Sequence, residues 1–356
     1  MKLDHASLTV LLLVFAAAAA AVWVAGVHLS NATDVLAHRF GMGEALGGLI
    51  LLAIVTNLPE LAITVSAAMS GELGIAIGNV LGGIAIQTAV LALLDVFGLG
   101  KKDGLTYRAA SLVLVLEGVL VIAVLTLTII GHELPATLIF ARMTPAGVAI
   151  AVVWVAGLFL INRARTDLPW HSGGDAPGGQ AKPRGHSVKQ TSELAKNSST
   201  AWHVMVFAVG ALVTLVAGVA LEVSGEAIAK RTGMSGVLFG ATVLAAATAL
   251  PEVSTGLASV KLGDYKMAFS DIFGGNAFLP VLFLLATLVS GEAVLPKAHP
   301  TDIYLTALGM LLTCVYIGGL VFRPRRQVAR MGVDSLLVLV LYAVGIAGLF
   351  AIGKGA

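Results

Sequence analysis

Long apolar stretches separated by short polar loops run along almost the whole chain. Each stretch has about the twenty residues that an α-helix needs to cross the hydrocarbon core of a bilayer. This pattern predicts ten transmembrane helices, at residues 8–29, 44–69, 74–97, 108–130, 137–161, 203–223, 236–260, 266–289, 303–322 and 334–353. The expected fold is therefore an all-α polytopic membrane protein.

The first apolar stretch has two interpretations. Its alanine-rich run resembles the small-residue cleavage region of a secretory signal peptide. Its length is enough to span a bilayer, however, and the internal repeat described below needs a helix at this place. We therefore expect the stretch to be retained as the first transmembrane helix.

Composition agrees with a membrane protein. Of the 356 residues, 58% are hydrophobic and only 12% are charged, whereas a soluble domain has about 25% charged residues. The net charge of +2 gives no indication of a nucleic-acid partner. The single cysteine, Cys314, excludes a disulfide within the chain and a thiolate metal cage. No nucleotide-binding or hydrolase motif is present, so neither an enzyme nor a cofactor is predicted.

A long polar segment divides the predicted helices into two groups of five. Residues 163–200 are rich in Gly, Ser, Pro, Lys and His, which predicts a flexible linker between a first half, 1–162, and a second half, 201–356. With the N-terminus outside, most of the 22 Lys and Arg residues fall in inner loops. We expect external termini and a cytoplasmic linker in the cell (inner) membrane.

The two halves resemble each other at an offset of 192 residues. "TNLPE" (56–60) aligns with "TALPE" (248–252), and "GNVLGGIA" (78–85) aligns with "SDIFGGNA" (270–277), without a gap. Because each half has five predicted helices, an odd number, the second half must cross the membrane in the opposite direction. The prediction is a 5+5 inverted repeat, an architecture in which transporters place the substrate site near the bilayer midplane.

Each repeat carries a glutamate inside a predicted helix, Glu60 and Glu252. A charged side chain at the bilayer centre costs about 2.5–3.5 kcal/mol on insertion scales, so each needs a partner, a cation or water. A proline precedes each glutamate and frees a backbone carbonyl of the preceding turn. Thr56 and Thr248 lie four residues earlier, on the same helix face. Each repeat thus offers a carboxylate, a hydroxyl and carbonyl oxygens on one side of an interrupted helix.

The following helix of each repeat adds polar side chains at equivalent positions. Asn79 lies nineteen residues after the first glutamate and Asp271 nineteen after the second, while Gln87 lies two turns beyond Asn79. The combined set is rich in oxygen and has no imidazole or thiolate. Such ligands match hard cations such as Ca²⁺ or Na⁺ and not Zn²⁺ or Cu⁺.

Two further acids receive weaker interpretations. Glu117 aligns with Gly309, so the repeat does not place it in a paired site, and packing and gating are equally good roles. Asp95 lies near the end of its predicted helix, where we expect an interfacial side chain.

The paired T-x-L-P-E segments and the "GNVLGG" and "SDIFGG" segments resemble the two alpha-repeats of the calcium/cation antiporter superfamily, which includes sodium/calcium exchangers. The resemblance implies that Glu60 and Glu252 are central cation ligands. It also implies that Thr56 and Thr248 contribute oxygen to the sites of the coupling ion.

The chain departs from the usual motifs of this superfamily. The serine of G-T-S-L-P-E is Asn57 in one repeat and Ala249 in the other, and the serine of the next helix is glycine in both. The last Asn or Asp of that helix falls on Gln87 and Leu279. These changes remove oxygen atoms that Na⁺ would need, while Asp271 adds a charge.

The sequence thus predicts a secondary-active antiporter that exchanges Ca²⁺, or a similar divalent cation, for Na⁺ or H⁺ by alternating access. The alternatives are a proton-coupled exchanger without sodium dependence and a cation channel. Inorganic cations and the lipid bilayer are the expected partners, and the oligomeric state is left open.

Overall fold

A computed structural model of the chain describes residues 6–39, 54–99, 103–166, 169, 199–261 and 263–355. Almost all of these residues are helical, and the described part contains one short two-stranded hairpin. The predicted all-α architecture is confirmed in this respect. Most of the predicted linker lies outside the described residues.

Six helices form the described part of the first half. They are α1 (Leu8–Arg39), α2 (Leu58–Ser70), α3 (Leu73–Gly98), α4 (Leu105–Ala109), α5 (Leu112–Glu133) and α6 (Pro145–Thr166). The turn between α2 and α3 is tight because Gly71 adopts a left-handed conformation, with φ of 83°, that favours glycine.

The second half has the same order of long and interrupted helices. Its elements are α7 (Thr200–Thr232), α8 (Gly236–Thr248), α9 (Leu250–Lys261), α10 (Tyr265–Phe278), α11 (Leu282–Ser290), α12 (Pro300–Phe322), the strands β1 (Gln327–Val328) and β2 (Met331–Gly332), and α13 (Val333–Gly355). A π-helical turn, Gly240–Leu244, lies within α8, and a 3₁₀ turn, Leu279–Val281, joins α10 to α11.

Eight of the described helices or helix pairs are long and apolar enough to cross a bilayer, and a ninth span is formed if α8 and α9 are taken together. Those two helices meet at an angle of 41°. The second predicted span, 44–69, is described only from residue 54, so the predicted count of ten stays a prediction. The chain is an integral membrane protein.

Several helix boundaries differ from the hydropathy prediction. The helices α1 and α7 are 32 and 33 residues long, because their polar ends stay helical beyond the apolar stretch. The fifth predicted span, 137–161, begins instead at Pro145, after a turn in which Phe140 and Met143 pair through their backbones. At its other end α6 continues to Thr166, into the predicted linker.

Two central helical segments carry most of the core. In α3, 78% of the residues of its apolar window are buried, and in the α10–α11 segment 67% are, against 28% in α1, α6 and α7. The outer helices direct large apolar side chains such as Leu160 and Leu212 outwards. This is the distribution expected for a bundle whose periphery faces lipid.

The two halves make reciprocal contacts through equivalent positions. A Cβ atom on Gly26 of α1 would lie 2.8 Å from Pro251, and one on Gly218 of α7 would lie 3.0 Å from the carbonyl oxygen of Pro59. The two glycines are 192 residues apart, as are the two prolines. Each outer helix therefore packs closely on the proline of the opposite half.

Candidate functional site

The two Pro–Glu segments lie where helices begin. Asn57 interrupts the helical residues before α2, and Ala249 separates α8 from α9. A proline fits this place because the first turn of a helix has no partner for its amide hydrogen. Glu60 and Glu252 consequently lie in the first turns of α2 and α9, where the helix dipole favours a negative charge.

Both glutamates are buried and lie close to each other. Glu60 is 0% exposed and Glu252 is 1% exposed. The charge on Glu252 interacts with those of Glu60 and Asp271, which are of the same sign. Within the described part of the chain, all four oxygens of the two glutamates lack a hydrogen-bond partner. Buried carboxylates arranged in this way need a proton or a cation to be stable.

The threonine of the second repeat lies beside the glutamate of the first. The Thr248 side chain is near the Glu60 carboxyl, but its hydroxyl donates to the carbonyl oxygen of Ala245 at 3.2 Å. The hydroxyl oxygen also has lone pairs that can bind a cation. Thr56 of the first repeat is likewise buried.

The two amides of α3, Asn79 and Gln87, are also buried, and none of their side-chain nitrogen and oxygen atoms has a partner among the described residues. Close helix packing places Asn79. A Cβ on Gly78 would lie 2.7 Å from the Val237 carbonyl oxygen, and one on Gly240 would lie 3.1 Å from the Asn79 backbone nitrogen. The glycines thus let α3 and α8 cross at Asn79.

Asp271 reaches the site from α10 and has a partner that the sequence analysis did not assign. The hydroxyl of Thr255, on α9, lies 3.1 Å from Oδ2 of Asp271 and 3.1 Å from the carbonyl oxygen of Pro251, so its one hydrogen is shared between these acceptors. Thr255 follows Glu252 by three residues, so both side chains lie on one face of α9. The three-residue spacing between Glu252 and Thr255 was a signal in the sequence, because it places a hydroxyl on the same helix face as the acid.

Among the predicted ligands, Thr248 lies near Glu60, and Glu252 lies near Glu60 and Asp271. Across the described residues, no three His, Cys, Asp or Glu side chains come together closely enough to hold a metal ion. Glu60, Glu252 and Asp271 are neighbours without forming a closed set of ligands. The assignment of the seven predicted site residues as ligands therefore stays a prediction.

Other polar residues of the two central helices have structural roles. The amide of Asn276 donates to the Thr88 hydroxyl at 2.9 Å and points towards the Ile84 carbonyl oxygen at 3.4 Å, which joins α10 to α3. The Ser270 hydroxyl lies 2.7 Å and 2.8 Å from the two carboxyl oxygens of Glu117. This contact favours the packing role for Glu117.

A groove of about 870 Å³ lies between α2 and α7 and reaches Leu61 and Ala62, next to Glu60. Ser66 donates to Oε2 of Glu222 in this groove at 2.9 Å, and the other oxygen of Glu222 has no partner in the described part of the chain. Sequence reasoning missed Glu222, although it is an acid inside the sixth predicted span.

Comparisons with known proteins agree with this architecture. The sequence pattern of the family described as "Sodium/calcium exchanger protein" matches residues 10–162 and 202–351. The protein CaxA of Alkalimonas amylolytica, which is named as an antiporter, is 26% identical over 304 residues, covering 84% of this chain and 88% of CaxA.

Two solved structures have a similar fold. The H⁺/Ca²⁺ exchanger CAX superposes with a TM-score of 0.62 at 14% identity, over 97% of this chain and 91% of that one. An ion-soaked form of the sodium–calcium exchanger NCX_Mj superposes with a TM-score of 0.57 at 17% identity, over 96% and 99%. At these identities the likeness concerns the fold.

Proposed function

Because the chain belongs to the sodium/calcium exchanger family, we propose that it is a secondary-active antiporter that exchanges Ca²⁺, or a similar divalent cation, for Na⁺ or H⁺. The observation that carries this proposal is the buried pair Glu60 and Glu252, whose four oxygens have no partner among the described residues. A divalent cation compensates two carboxylates, and so do two monovalent cations. The two loads therefore compete for one site, which is the requirement for exchange by alternating access.

We further propose that the chain is a 5+5 inverted repeat with the site near the bilayer midplane. The reciprocal packing of Gly26 on Pro251 and of Gly218 on Pro59 supports this arrangement, because it relates equivalent positions of the two halves. So does the contact of Asn276 with Ile84, which aligns with it across the repeat. External termini, a cytoplasmic linker and the inner-membrane location remain part of this proposal.

Proton coupling without sodium dependence is the second candidate, and one packing feature favours it. At Gly275, where the superfamily pattern has a serine, a Cβ would lie 2.8 Å from the side-chain nitrogen of Asn57. The Asn57 amide thus fills the space of the missing hydroxyl. A hydroxyl that the superfamily pattern would offer to Na⁺ is thus absent at this position.

The decisive experiment uses purified protein in sealed proteoliposomes. Uptake of radioactive Ca²⁺ is measured under an outward sodium gradient, under a pH gradient, and with neither gradient. Exchange predicts uptake only with a counter-ion gradient, and the effective gradient identifies the coupling ion. Uptake that needs no counter-ion would identify a channel and contradict the proposal.

Substitution of the glutamates tests the site. Removing one partner of a buried charge set costs about 3–5 kcal/mol, and about 1.4 kcal/mol corresponds to a tenfold change in affinity. We therefore expect Glu60→Gln and Glu252→Gln each to reduce Ca²⁺ exchange by a factor of roughly 100 or more. Glu133→Gln is the matched control, since that side chain is 78% exposed at the end of α5. Exchange by both glutamine variants at the control's rate would refute the site.

A further inference from the structure

A second pair of buried acids, Asp95 and Asp334, lies away from the proposed transport site. Asp95 is near the end of α3, eight residues after Gln87 and therefore about 12 Å further along the helix. Asp334 is in the first turn of α13. The two side chains belong to residues that are 0% and 6% exposed. Asp95 lies near the end of its helix, as expected from the sequence, and neighbouring segments bury it.

Asp95 holds two chain segments together. Its Oδ1 accepts the backbone hydrogen of Leu105 at 2.9 Å, and its Oδ2 accepts that of Gly332 at 2.7 Å. The first donor begins α4 and the second ends β2. Asp95 thus ties the hairpin β1–β2 and the loop before α4 to the end of α3.

Asp334 faces the same space, with the Thr106 hydroxyl and the Ser335 backbone amide beside it. A Cβ on Gly332 would clash with Oδ1 of Asp334 and would lie 3.3 Å from Oδ2 of Asp95. The two carboxyl groups therefore flank one small volume beside Gly332. Both oxygens of Asp334 lack a partner in the part of the chain that the structure describes.

Three hydroxyl groups surround the pair. Thr106, Tyr316 and Ser335 are 1%, 0% and 0% exposed. Ser335 lies beside both Asp95 and Tyr316, and Thr106 lies beside Asp334. None of these three oxygens has a partner at normal hydrogen-bond distance and angle among the described residues. Buried polar atoms normally have a hydrogen-bond partner. The number of unpaired oxygen atoms around these two acids therefore indicates a bound species.

The described cations nearby are engaged elsewhere. The Arg325 guanidinium donates to the Tyr107 hydroxyl at 3.0 Å, and Arg323 donates to a backbone carbonyl at 3.4 Å. Arg108 pairs with Asp103 at 3.3 Å. No Lys, Arg or His of the described segments forms an ion pair with either buried acid, while Lys101 and Lys102 lie outside those segments.

We propose that Asp95 and Asp334 bind one divalent cation, with Ca²⁺ the best match. The two carboxylates balance its charge, and carboxylate oxygens are the ligands that Ca²⁺ prefers. The hydroxyls of Tyr316, Ser335 and Thr106 have oxygen lone pairs that can complete its coordination. The cation fixes the hairpin to the end of α3. It is a resident ion and not the transported one, because the site is separate from Glu60 and Glu252.

The test separates this site from the transport site. Binding of radioactive Ca²⁺ is measured at equilibrium on the full-length protein in detergent, in a Glu60→Gln/Glu252→Gln background. We expect one Ca²⁺ per chain to remain bound there. Adding Asp334→Asn is expected to weaken its binding at least tenfold. The control is Asp103→Asn, a half-exposed acid in the loop before α4, which is expected to leave binding unchanged.

A second readout covers the case in which Asp334→Asn does not fold. Tb³⁺ binds at Ca²⁺ sites and emits when nearby tyrosines are excited. Tyr316→Phe removes one proposed ligand and one such tyrosine, so it is expected to lower that emission with little change in folding. Loss of all Ca²⁺ binding in the double-glutamine background would overturn the proposal. So would Ca²⁺ binding that Asp334→Asn leaves unchanged, or Tb³⁺ emission that Tyr316→Phe leaves unchanged. Neither result bears on Glu60 and Glu252, which the exchange assay tests separately.

Discussion

The reciprocal glycine contacts make a quantitative prediction about the two halves. An added Cβ at Gly26 would lie 2.8 Å and 2.9 Å from side-chain carbons of Pro251, and at Gly218 it would lie 2.7 Å from the Cβ of Ala62 and 3.0 Å from the Pro59 carbonyl oxygen. Carbon atoms in contact are normally about 3.5–4.0 Å apart. Gly26→Ala and Gly218→Ala must therefore displace the facing Pro–Glu segment by about 1 Å to restore ordinary contacts.

Two opposing effects decide how much each substitution changes the stability of the protein. Overpacking of this kind costs about 1–3 kcal/mol, and replacing a helical glycine by alanine returns about 1 kcal/mol. The net loss of stability is thus small, about 0–2 kcal/mol. The gain in helix stability from alanine has no effect on ion binding, whereas the displacement of the Pro–Glu segment moves Glu60 or Glu252. We expect the Ca²⁺ concentration for half-maximal exchange to rise by a factor of roughly 5–100.

The assay compares both variants with Gly318→Ala in proteoliposomes. Gly318 lies in α12 and has no atom within 4 Å of a Cβ position, so its substitution gains helix stability without a clash. The two test variants should have similar effects, because they are equivalent positions of the repeat. Half-saturation values equal to that of Gly318→Ala would refute the reasoning, and an effect in only one half would refute its two-fold basis.

The remaining predictions concern single hydrogen bonds between helices. Asn276→Leu removes the donor to Thr88 at 2.9 Å, and the loss of a buried partner is expected to lower stability by about 1–3 kcal/mol, measured as thermal unfolding in detergent. Thr255→Val removes the donor to Asp271 at 3.1 Å, a bond to a charged group worth about 1.5–3 kcal/mol, so Ca²⁺ exchange should change its half-saturation about tenfold or more. Thr287→Val is the control for both, since its hydroxyl bonds within its own helix, and test variants that behave like it would contradict these two predictions.

The parts of the site that could be predicted from the sequence are those with local causes. A proline ends the hydrogen bonding of one helical turn wherever it stands, so the interruptions before α2 and α9 follow from Pro59 and Pro251 alone. The repeat then places Glu60 and Glu252 at equivalent positions. The structure places both as buried neighbours.

The features that could not be predicted depend on contacts between distant parts of the chain. Asp95 is buried because Gly332, 237 residues later, donates to it. Glu117 contacts Ser270, which is 153 residues away. A hydropathy pattern contains no information about such pairs. The hydropathy pattern also underestimated the lengths of α1 and α7, because the polar ends of these helices are helical without being apolar.

The charges of the proposed transport site bear on why exchange would be obligatory. The charges of Glu60 and Asp271 repel that of Glu252, and the Thr255 hydroxyl of the neighbouring helix lies 3.1 Å from Asp271. The amides of Asn79 and Gln87 in the first repeat are neutral. They can bind a cation through oxygen, but they cannot replace its charge. Leaving the acids ionised without a cation costs several kcal/mol for each charge in a low-dielectric interior. In the proposed antiporter, the protein without Ca²⁺ would therefore have to bind protons or Na⁺ before its site is closed off from water, and this would link the movement of Ca²⁺ to that of the coupling ion.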